Sequence, residues 1–255
     1  MRPAPSSSVS GLAISDSGWT LRPADASLPG GRDVPYRFTI EGPDGAPETS
    51  YQQTHTMDLH LVAVRRDLST FQHVHPTRAA DGTWSAPLDL DAGVYRVLAD
   101  LRPTGADHQL VLGADLLVPG ELEPVDLPAR RATPTTTDGY TVALHGTPVA
   151  GRESDLVLSV SKGGRAVTTL QPYLGAYGHL VALRAGDLAY LHTHPEGTVG
   201  AAGRHRRAGH RVRHDVPHRW HLPAVPRLPG WRRRAHGRVH GRGARWLRSS
   251  SRSAG

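Results

Sequence analysis

Three histidines recur at identical spacing in two parts of the chain. The first set is His60, His73 and His75, and the second set is His179, His192 and His194. They occur in DLHLVAVRRDLSTFQHVHP (residues 58–76) and YGHLVALRAGDLAYLHTHP (residues 177–195), which align without a gap at an offset of 119 residues. Because neutral imidazole is the commonest metal ligand in proteins, the repeated pattern indicates two candidate metal sites.

Each copy has the residue pattern of a β-hairpin. Two strand-forming segments flank a short polar stretch, and a proline, which cannot donate to a ladder, ends the second segment. A two-residue turn at residues 66–67 would place His60 opposite His73, with His75 diagonal to it on the same face. A turn at residues 185–186 would do the same in the second copy. Each hairpin is therefore predicted to gather three imidazoles on one face.

The predicted histidine face also carries apolar side chains. In the first copy these are Val62, Val64 and Phe71, and in the second copy they are Val181, Leu183 and Tyr190. We expect this face to be the core face of a sheet, with the histidines at one end of it. The alternative interpretation is that the histidines are structural, since gene duplication copies structural residues as faithfully as metal ligands.

Composition indicates an all-β protein with many turns. The 255 residues include 28 glycines and 21 prolines, and helix-period apolar patterns are scarce. Short alternating strands separated by turn signals predict an immunoglobulin-like β-sandwich over residues 9–118. The absence of cysteine excludes disulfides, thiolate metal sites and cysteine nucleophiles.

The sandwich pattern begins a second time. Residues 119–138 form a linker rich in proline, threonine and charge, and GYTV at residues 139–142 then matches GWTL at residues 18–21. The fold class is therefore two tandem immunoglobulin-like β-sandwich domains. The second, residues 139–200, is incomplete, because about three further strands are expected after Pro195 and residues 201–255 have no strand pattern.

The C-terminal region, residues 201–255, differs sharply in charge from the rest. It contains 15 arginines and one acidic residue, a charge of +14, whereas residues 1–200 carry −7. We expect a disordered basic tail. Its charge and three tryptophans would attract nucleic acid without sequence preference, so non-specific nucleic-acid binding is a third functional hypothesis and no specific nucleic-acid partner is expected.

We interpret this tail as out-of-frame translation, with the frame lost between about residues 197 and 208. Read one base later, a permitted back-translation from His218 gives TAGTYRLFLDF, which resembles DAGVYRVLADL at residues 91–101. Sequencing the gene tests this prediction: a single-base change near that interval should restore an open frame through a sandwich ending. A gene in which no such change does so would exclude the interpretation.

The two motifs resemble those of an actinobacterial family of extracytoplasmic proteins described as secreted or heavy-metal-binding. The family signature is close to DLHLxVVRRDLxxFQHVHP, followed by LQPYLGAYGHLVALRxGDLAYLHxHP, and the matching residues here are 58–76 and 170–195. The resemblance covers residues 11–197. It implies a tandem β-sandwich protein of the cell envelope that binds a transition metal, with copper favoured and envelope components as possible partners. Family members begin with a signal or membrane segment, and no such segment is found in this sequence.

Metal binding is the leading functional hypothesis. Three imidazoles without thiolate suit Cu(II), Zn(II) or Ni(II), and the Irving–Williams order favours copper. His60, His73 and His75 would bind one ion, and His179, His192 and His194 another. If only one site binds metal, we expect it to be the first. No paired carboxylate or glutamate base accompanies the motifs, so we expect no enzyme activity. The alternative is an adhesive or interaction module.

Overall fold

The computed structural model describes residues 9–54, 56–125, 139–146, 152–167, 181–191, 194–195 and 210–216. Every regular element in these ranges is a β-strand, so the predicted all-β class is confirmed. The same residues include no helix long and apolar enough to cross a membrane. Most of the predicted linker and tail lies outside the described residues.

Nine strands build the first domain. They are β1 (Ser15–Asp16), β2 (Trp19–Pro23), β3 (Gly31–Glu41), β4 (Leu59–Arg65), β5 (Phe71–Val74), β6 (Thr77–Arg78), β7 (Trp84–Leu90), β8 (Gly93–Leu101) and β9 (Leu110–Val118). One sheet has the order β1-β2-β3-β7-β6 and the other β5-β4-β8-β9. All neighbouring strands are antiparallel, which is the arrangement of an immunoglobulin-like sandwich.

The core of this sandwich follows from period-two alternation along the strands. In β7, Trp84, Ala86 and Leu88 point inward and are almost fully buried. In β4 the inward residues are Leu59, Leu61 and Ala63. The histidine face was predicted to be a core face. It is buried, but in a second apolar cluster rather than between the two sheets. His60 lies on the opposite face of β4 from Leu59, Leu61 and Ala63, because the more apolar alternate set fills the space between the sheets.

The second sheet is nevertheless buried on both faces. Residues 59–64 of β4 are buried without alternation, which requires a cover on what we call the outer face, the side turned away from the sandwich core. Part of that cover comes from the second repeat. Its Val181, Leu183, Leu188 and Tyr190 pack with Val62, Val64, Leu98 and Val111 of the outer face.

The second repeat provides seven strands among the described residues. They are β10 (Tyr140–His145), β11 (Arg152–Lys162), β12 (Arg165–Ala166), β13 (Ala182–Leu183), β14 (Tyr190–Leu191), β15 (His194–Pro195) and β16 (His210–Val216). β13 pairs with β14, and a second sheet has the order β10-β11-β16-β15. That order reproduces β2-β3-β7-β6 of the first domain, so β16 occupies the place of β7.

Strand β16 corrects the expectation that residues 201–255 contain no strand. It pairs antiparallel with β11 over seven residues, from Leu158 opposite His210 to Arg152 opposite Val216. The segment HRVRHDV alternates valine or histidine with charged residues, a period-two pattern that the arginine content obscured. The hydrogen bonds of the ladder with β11 join backbone atoms. A segment rich in arginine and histidine can therefore form this strand. Counterparts of β8 and β9 are not found among the described residues of the second repeat.

The N-terminal segment also lies on the outer face. Gly11 N–H donates to Val111 O at 2.9 Å, and the Arg96 guanidinium donates to the carbonyls of Gly11 and Leu12 at 2.6–3.1 Å. Tyr190 N–H in turn donates to Ser10 O at 2.8 Å. This segment therefore bridges the first domain to hairpin β13–β14.

Gly113 permits this close approach, because a Cβ added there would collide with Gly11 O and the Arg96 side chain. We predict that Gly113→Ala lowers the free energy of unfolding by about 1–3 kcal/mol, since the overpacked segment must move. Urea unfolding measures the change. Gly30→Ala is the matched control, because the nearest atom to its Cβ would be Leu90 O at 3.4 Å. Equal effects of the two substitutions would contradict the prediction.

Candidate metal centre

Hairpin β4–β5 has a different register from the predicted one. Val62 pairs with His73 and Leu61 with Val74, and Arg65 N–H donates to Thr70 O at 3.0 Å. The connection is therefore a four-residue loop, residues 66–69, and the predicted two-residue turn is wrong. The shift amounts to two residues on one strand. An even shift leaves side chains on the same face, so the three histidines still converge.

Asp67 explains why the longer loop forms. Its carboxylate accepts hydrogen bonds from Arg65 Nε and Nη2 at 2.9 and 2.6 Å and from Ser69 N and Oγ at 3.1 and 2.7 Å. These bonds close the loop and hold Leu68 at a positive φ of 62°. Burial alone would raise the pKa of Asp67, but the donors from Arg65 and Ser69 outweigh it and hold that pKa well below its usual range.

Hairpin β13–β14 uses the same loop length. Leu183 pairs with Tyr190, and Arg184 N–H donates to Ala189 O at 2.9 Å. The loop is therefore residues 185–188, so the two-residue turn predicted for this copy is also wrong. Asp187 has the same role in this loop as Asp67 in the first, since its carboxylate accepts hydrogen bonds from the Arg184 guanidinium and from Ala189 N–H.

The first triad converges at the end of hairpin β4–β5. The centroids of the three imidazole rings are 5.2 Å apart for His60 and His73, 5.0 Å for His60 and His75, and 5.1 Å for His73 and His75. His60 Nδ1 lies 3.1 Å from His73 Nε2 and 3.2 Å from His75 Nε2. One nitrogen from each ring falls within 4.8 Å of the others. His60 and His73 are buried, and His75 is half-buried.

The tautomer of His60 is fixed by the backbone. His60 Nε2 lies 2.9 Å from Thr54 O, and because a carbonyl only accepts, Nε2 carries the proton. In the neutral ring Nδ1 then presents its lone pair to the other two imidazoles. Metal-bound histidines characteristically donate their second ring nitrogen to such a backbone carbonyl. Thr54 therefore orients His60 as a ligand through Nδ1.

The two nitrogen–nitrogen distances measured from His60 are close to those around a transition-metal ion. Two nitrogens bound at 2.0–2.1 Å to a tetrahedral ion lie about 3.3–3.4 Å apart. The two contacts of His60 Nδ1, at 3.1 and 3.2 Å, are slightly shorter than this. A small outward movement of the rings would bring these nitrogens to coordination distance.

The second triad is described only in part. His194 lies in β15, opposite Arg213 of β16, rather than in the strand paired with β13. His179 and His192 lie outside the described residues. The structure therefore brings together His60, His73 and His75, and the second site stays a prediction.

Asp100 and Gln109 were not identified from the sequence motifs, and Tyr190 was expected only as an apolar residue of the second hairpin. Asp100 of β8 pairs with His60 in the ladder, and its carboxylate accepts from Gln109 Nε2 and from Tyr190 Oη. The contacts of Asp100 with His60 and Tyr190 link residues far apart in sequence. The sequence contained one indication of Asp100. This residue interrupts the apolar end of the segment that forms β8, and that segment could be expected to lie beside β4.

Three other side chains with potential metal donors lie outside the triad. His108 is exposed, and His145 Nε2 lies 2.7 Å from Ser159 Oγ in an exposed contact. Met57 is half-buried, and its backbone forms two hydrogen bonds with that of Thr54. Met57 thereby closes the loop that carries the carbonyl partner of His60.

Together, the fold and the cluster define an all-β tandem-repeat protein with a three-histidine centre in its first sandwich. The chain belongs to the family of a domain of unknown function, DUF8832, whose model matches residues 14–114 and 135–218. The two matched segments coincide with the two repeats, and the second ends just after β16.

No curated protein matches the chain. A solved structure of FdeC, described as a broadly conserved Escherichia coli adhesin eliciting protection against urinary tract infections, is similar at 15% identity with a TM-score of 0.27. That match covers 86% of this chain and 62% of the FdeC chain, so this chain spans less than two thirds of that structure.

We predict that Asp67→Asn lowers the free energy of unfolding by about 1–3 kcal/mol at neutral pH, because charge-assisted hydrogen bonds in the loop are lost. The pKa of Asp67 is depressed in the folded state. Its contribution is therefore complete above the unfolded pKa of about 4 and is lost as the pH falls towards the folded value.

Urea unfolding at pH 5 and pH 3 tests whether the stabilisation by Asp67 decreases as the pH falls. The free energy of unfolding of wild type should exceed that of Asp67→Asn by about 1 kcal/mol less at pH 3 than at pH 5. Asp107→Asn, at an exposed position, serves as the control and should have little effect at either pH. A difference that stays constant between the two pH values would show that the charge of Asp67 is not responsible.

Proposed function

We propose that this chain is a non-enzymatic transition-metal-binding protein that holds one ion between His60 Nδ1, His73 Nε2 and His75 Nε2. We further propose that it acts in the cell envelope, on the grounds of its resemblance to extracytoplasmic proteins. Recovery of the native protein only in the cytosolic fraction of its host would refute that location.

The main support for the proposal is that the Nε2 atoms of His73 and His75 both lie close to the single lone pair of His60 Nδ1. With Nε2 protonated against Thr54 O, His60 Nδ1 has a single in-plane lone pair, yet two Nε2 atoms lie within 3.2 Å of it. Hydrogen bonding among the rings can fully satisfy one of these contacts. A metal ion accepts a lone pair from all three nitrogens at once, so it satisfies the arrangement better.

The ligand chemistry favours copper, with zinc as the second choice. The chain has no cysteine, so the site offers imidazole nitrogen alone, which suits copper, zinc and nickel. Among these divalent ions the Irving–Williams order places copper highest. Three protein ligands also leave a coordination position open, as in catalytic zinc sites.

We propose binding rather than catalysis because of how the neighbouring carboxylate is used. A hydrolytic zinc site needs a base to accept a proton from the bound water. Asp100 is the carboxylate beside His60 in the ladder, and its two oxygens accept hydrogen bonds from Gln109 and Tyr190. Both carboxylate oxygens are therefore already engaged as hydrogen-bond acceptors.

Metal titration of the full chain tests the proposal. Zn(II) or Cu(II) at 100 times the dissociation constant should stabilise the folded state by about 2.7 kcal/mol and raise the melting temperature, provided that the ion binds only the folded chain. Histidines in residues 201–255 also attract ions, so bound metal alone is a poor readout. Binding to histidines that are equally available in the folded and unfolded chain would stabilise both states alike.

Single substitutions locate the site. His75→Ala should abolish the metal-induced rise in melting temperature, and the half-buried position makes this variant the least disruptive of the three. His108→Ala, at an exposed position, is the matched control and should retain the full rise. A rise that is equal in wild type and His75→Ala would favour the alternative of an interaction protein with structural histidines.

A further inference from the structure

A buried carboxylate lies next to the three-histidine centre. Asp100 is directly opposite His60 across the β4–β8 ladder, so the two Cβ atoms are about 4.5–5.5 Å apart and both side chains lie on the outer face. Only 3% of Asp100 is exposed. Because the carboxylate is almost completely buried, solvent screens its electrostatic interaction with the histidines only weakly.

Two donors fix the orientation of this carboxylate. Gln109 Nε2 donates to Asp100 Oδ1, and Tyr190 Oη donates to Asp100 Oδ2 at 3.1 Å. Gln109 belongs to the first domain, whereas Tyr190 comes from β14 of the second repeat. Burial and the adjacent Asp100 charge raise the pKa of Tyr190 well above its ordinary value, so the phenol keeps its proton and remains a donor.

The hydroxyl of Tyr190 distinguishes the two repeats. Tyr190 aligns with Phe71 of the first repeat, and both side chains belong to the cluster that joins hairpin β13–β14 to the outer face. A phenylalanine at position 190 would supply the same packing. The additional oxygen serves the hydrogen bond to Asp100, beside the histidine centre of the other repeat.

The charge of Asp100 has a clear use if an ion is bound. Three neutral imidazoles contribute no charge, and a divalent cation held among buried groups is costly unless an anion lies near it. We propose that Asp100 supplies the anion that offsets a divalent cation at His60, His73 and His75, and that Tyr190 positions it. The second repeat thereby completes the metal site of the first.

This inference rests on the proposed metal-binding function and deepens it in two respects. It identifies the ligand class as divalent rather than monovalent transition metals, because the attraction of a carboxylate doubles with the charge of the ion. It also makes metal affinity depend on a residue outside the sandwich that carries the histidines. A purely structural role for Asp100 and Tyr190 would produce neither dependence.

The test compares Zn(II) with Ag(I), a monovalent ion, by competition with chelators on the full chain. Asp100→Asn should weaken Zn(II) binding about 10- to 100-fold, as loss of groups around metal ligands typically does, and should weaken Ag(I) binding distinctly less. Tyr190→Phe should weaken Zn(II) binding roughly 3- to 10-fold, in line with one hydrogen bond. Binding that persists in His75→Ala is subtracted as non-specific.

Tyr95→Phe is the matched control. It also removes a buried tyrosine hydroxyl, but this one bonds to the Asp91 backbone on the core side of β8. Its Zn(II) affinity should equal that of wild type. Unfolding transitions in chelator establish that each variant folds. If Asp100→Asn does not fold, Tyr190→Phe carries the test, and its ratio of Zn(II) to Ag(I) affinity must fall.

The outcomes separate this inference from the proposed function. If wild type and His75→Ala bind Zn(II) equally, the proposed function fails and the inference fails with it. If His75→Ala loses binding while the Asp100 and Tyr190 variants keep wild-type affinity, the metal site stands and the inference is overturned. An equal loss of Zn(II) and Ag(I) affinity in Asp100→Asn would also overturn it, since charge would then play no part.

Discussion

The structure depends on the burial of β4 on both of its faces. Leu59, Leu61 and Ala63 fill the sandwich core, while His60, Val62 and Val64 lie on the outer face. A polar side chain buried in this way must find partners, because an unsatisfied buried donor or acceptor costs about 1–3 kcal/mol. Thr54 O and the two neighbouring imidazoles meet that requirement for His60. His60 and His73 are therefore buried with hydrogen-bonding partners, and His75 is half-buried beside them.

Sequence spacing was sufficient to predict which residues cluster, although it gave the wrong register. Alternation places His60, His73 and His75 on one face for any register that differs by an even number of residues. The loop length depended on Asp67, whose hydrogen bonds stabilise four residues rather than two. Turn chemistry of this kind involves a side chain bonding to backbone two residues away, and the apolar pattern of the flanking strands carries no information about it.

The choice between core face and outer face could not be made from β4 alone. Both alternate sets of this strand are apolar, as expected for a strand buried on both sides. The packing partners of Val62 and Val64 come from residues 181–190, more than 100 positions away. The contact between Asp100 and Tyr190 could not be predicted for the same reason, because it joins the two repeats. The strand at His210–Val216 was missed because its alternating positions include histidines as well as valines and the surrounding segment is rich in arginine.

The two repeats meet through equivalent positions, yet their contributions are unequal. Val62 and Val64 of the first hairpin pack in one cluster with Val181 and Leu183, their counterparts in the second. Such self-complementary packing resembles the isologous interface of a symmetric dimer formed within one chain. The symmetry is broken where Tyr190 replaces Phe71, because only the tyrosine can donate to Asp100. Hairpin β13–β14 of the second repeat thus covers part of the sheet that carries hairpin β4–β5 of the first. The hydroxyl oxygen of its Tyr190 bonds to Asp100, which lies beside His60.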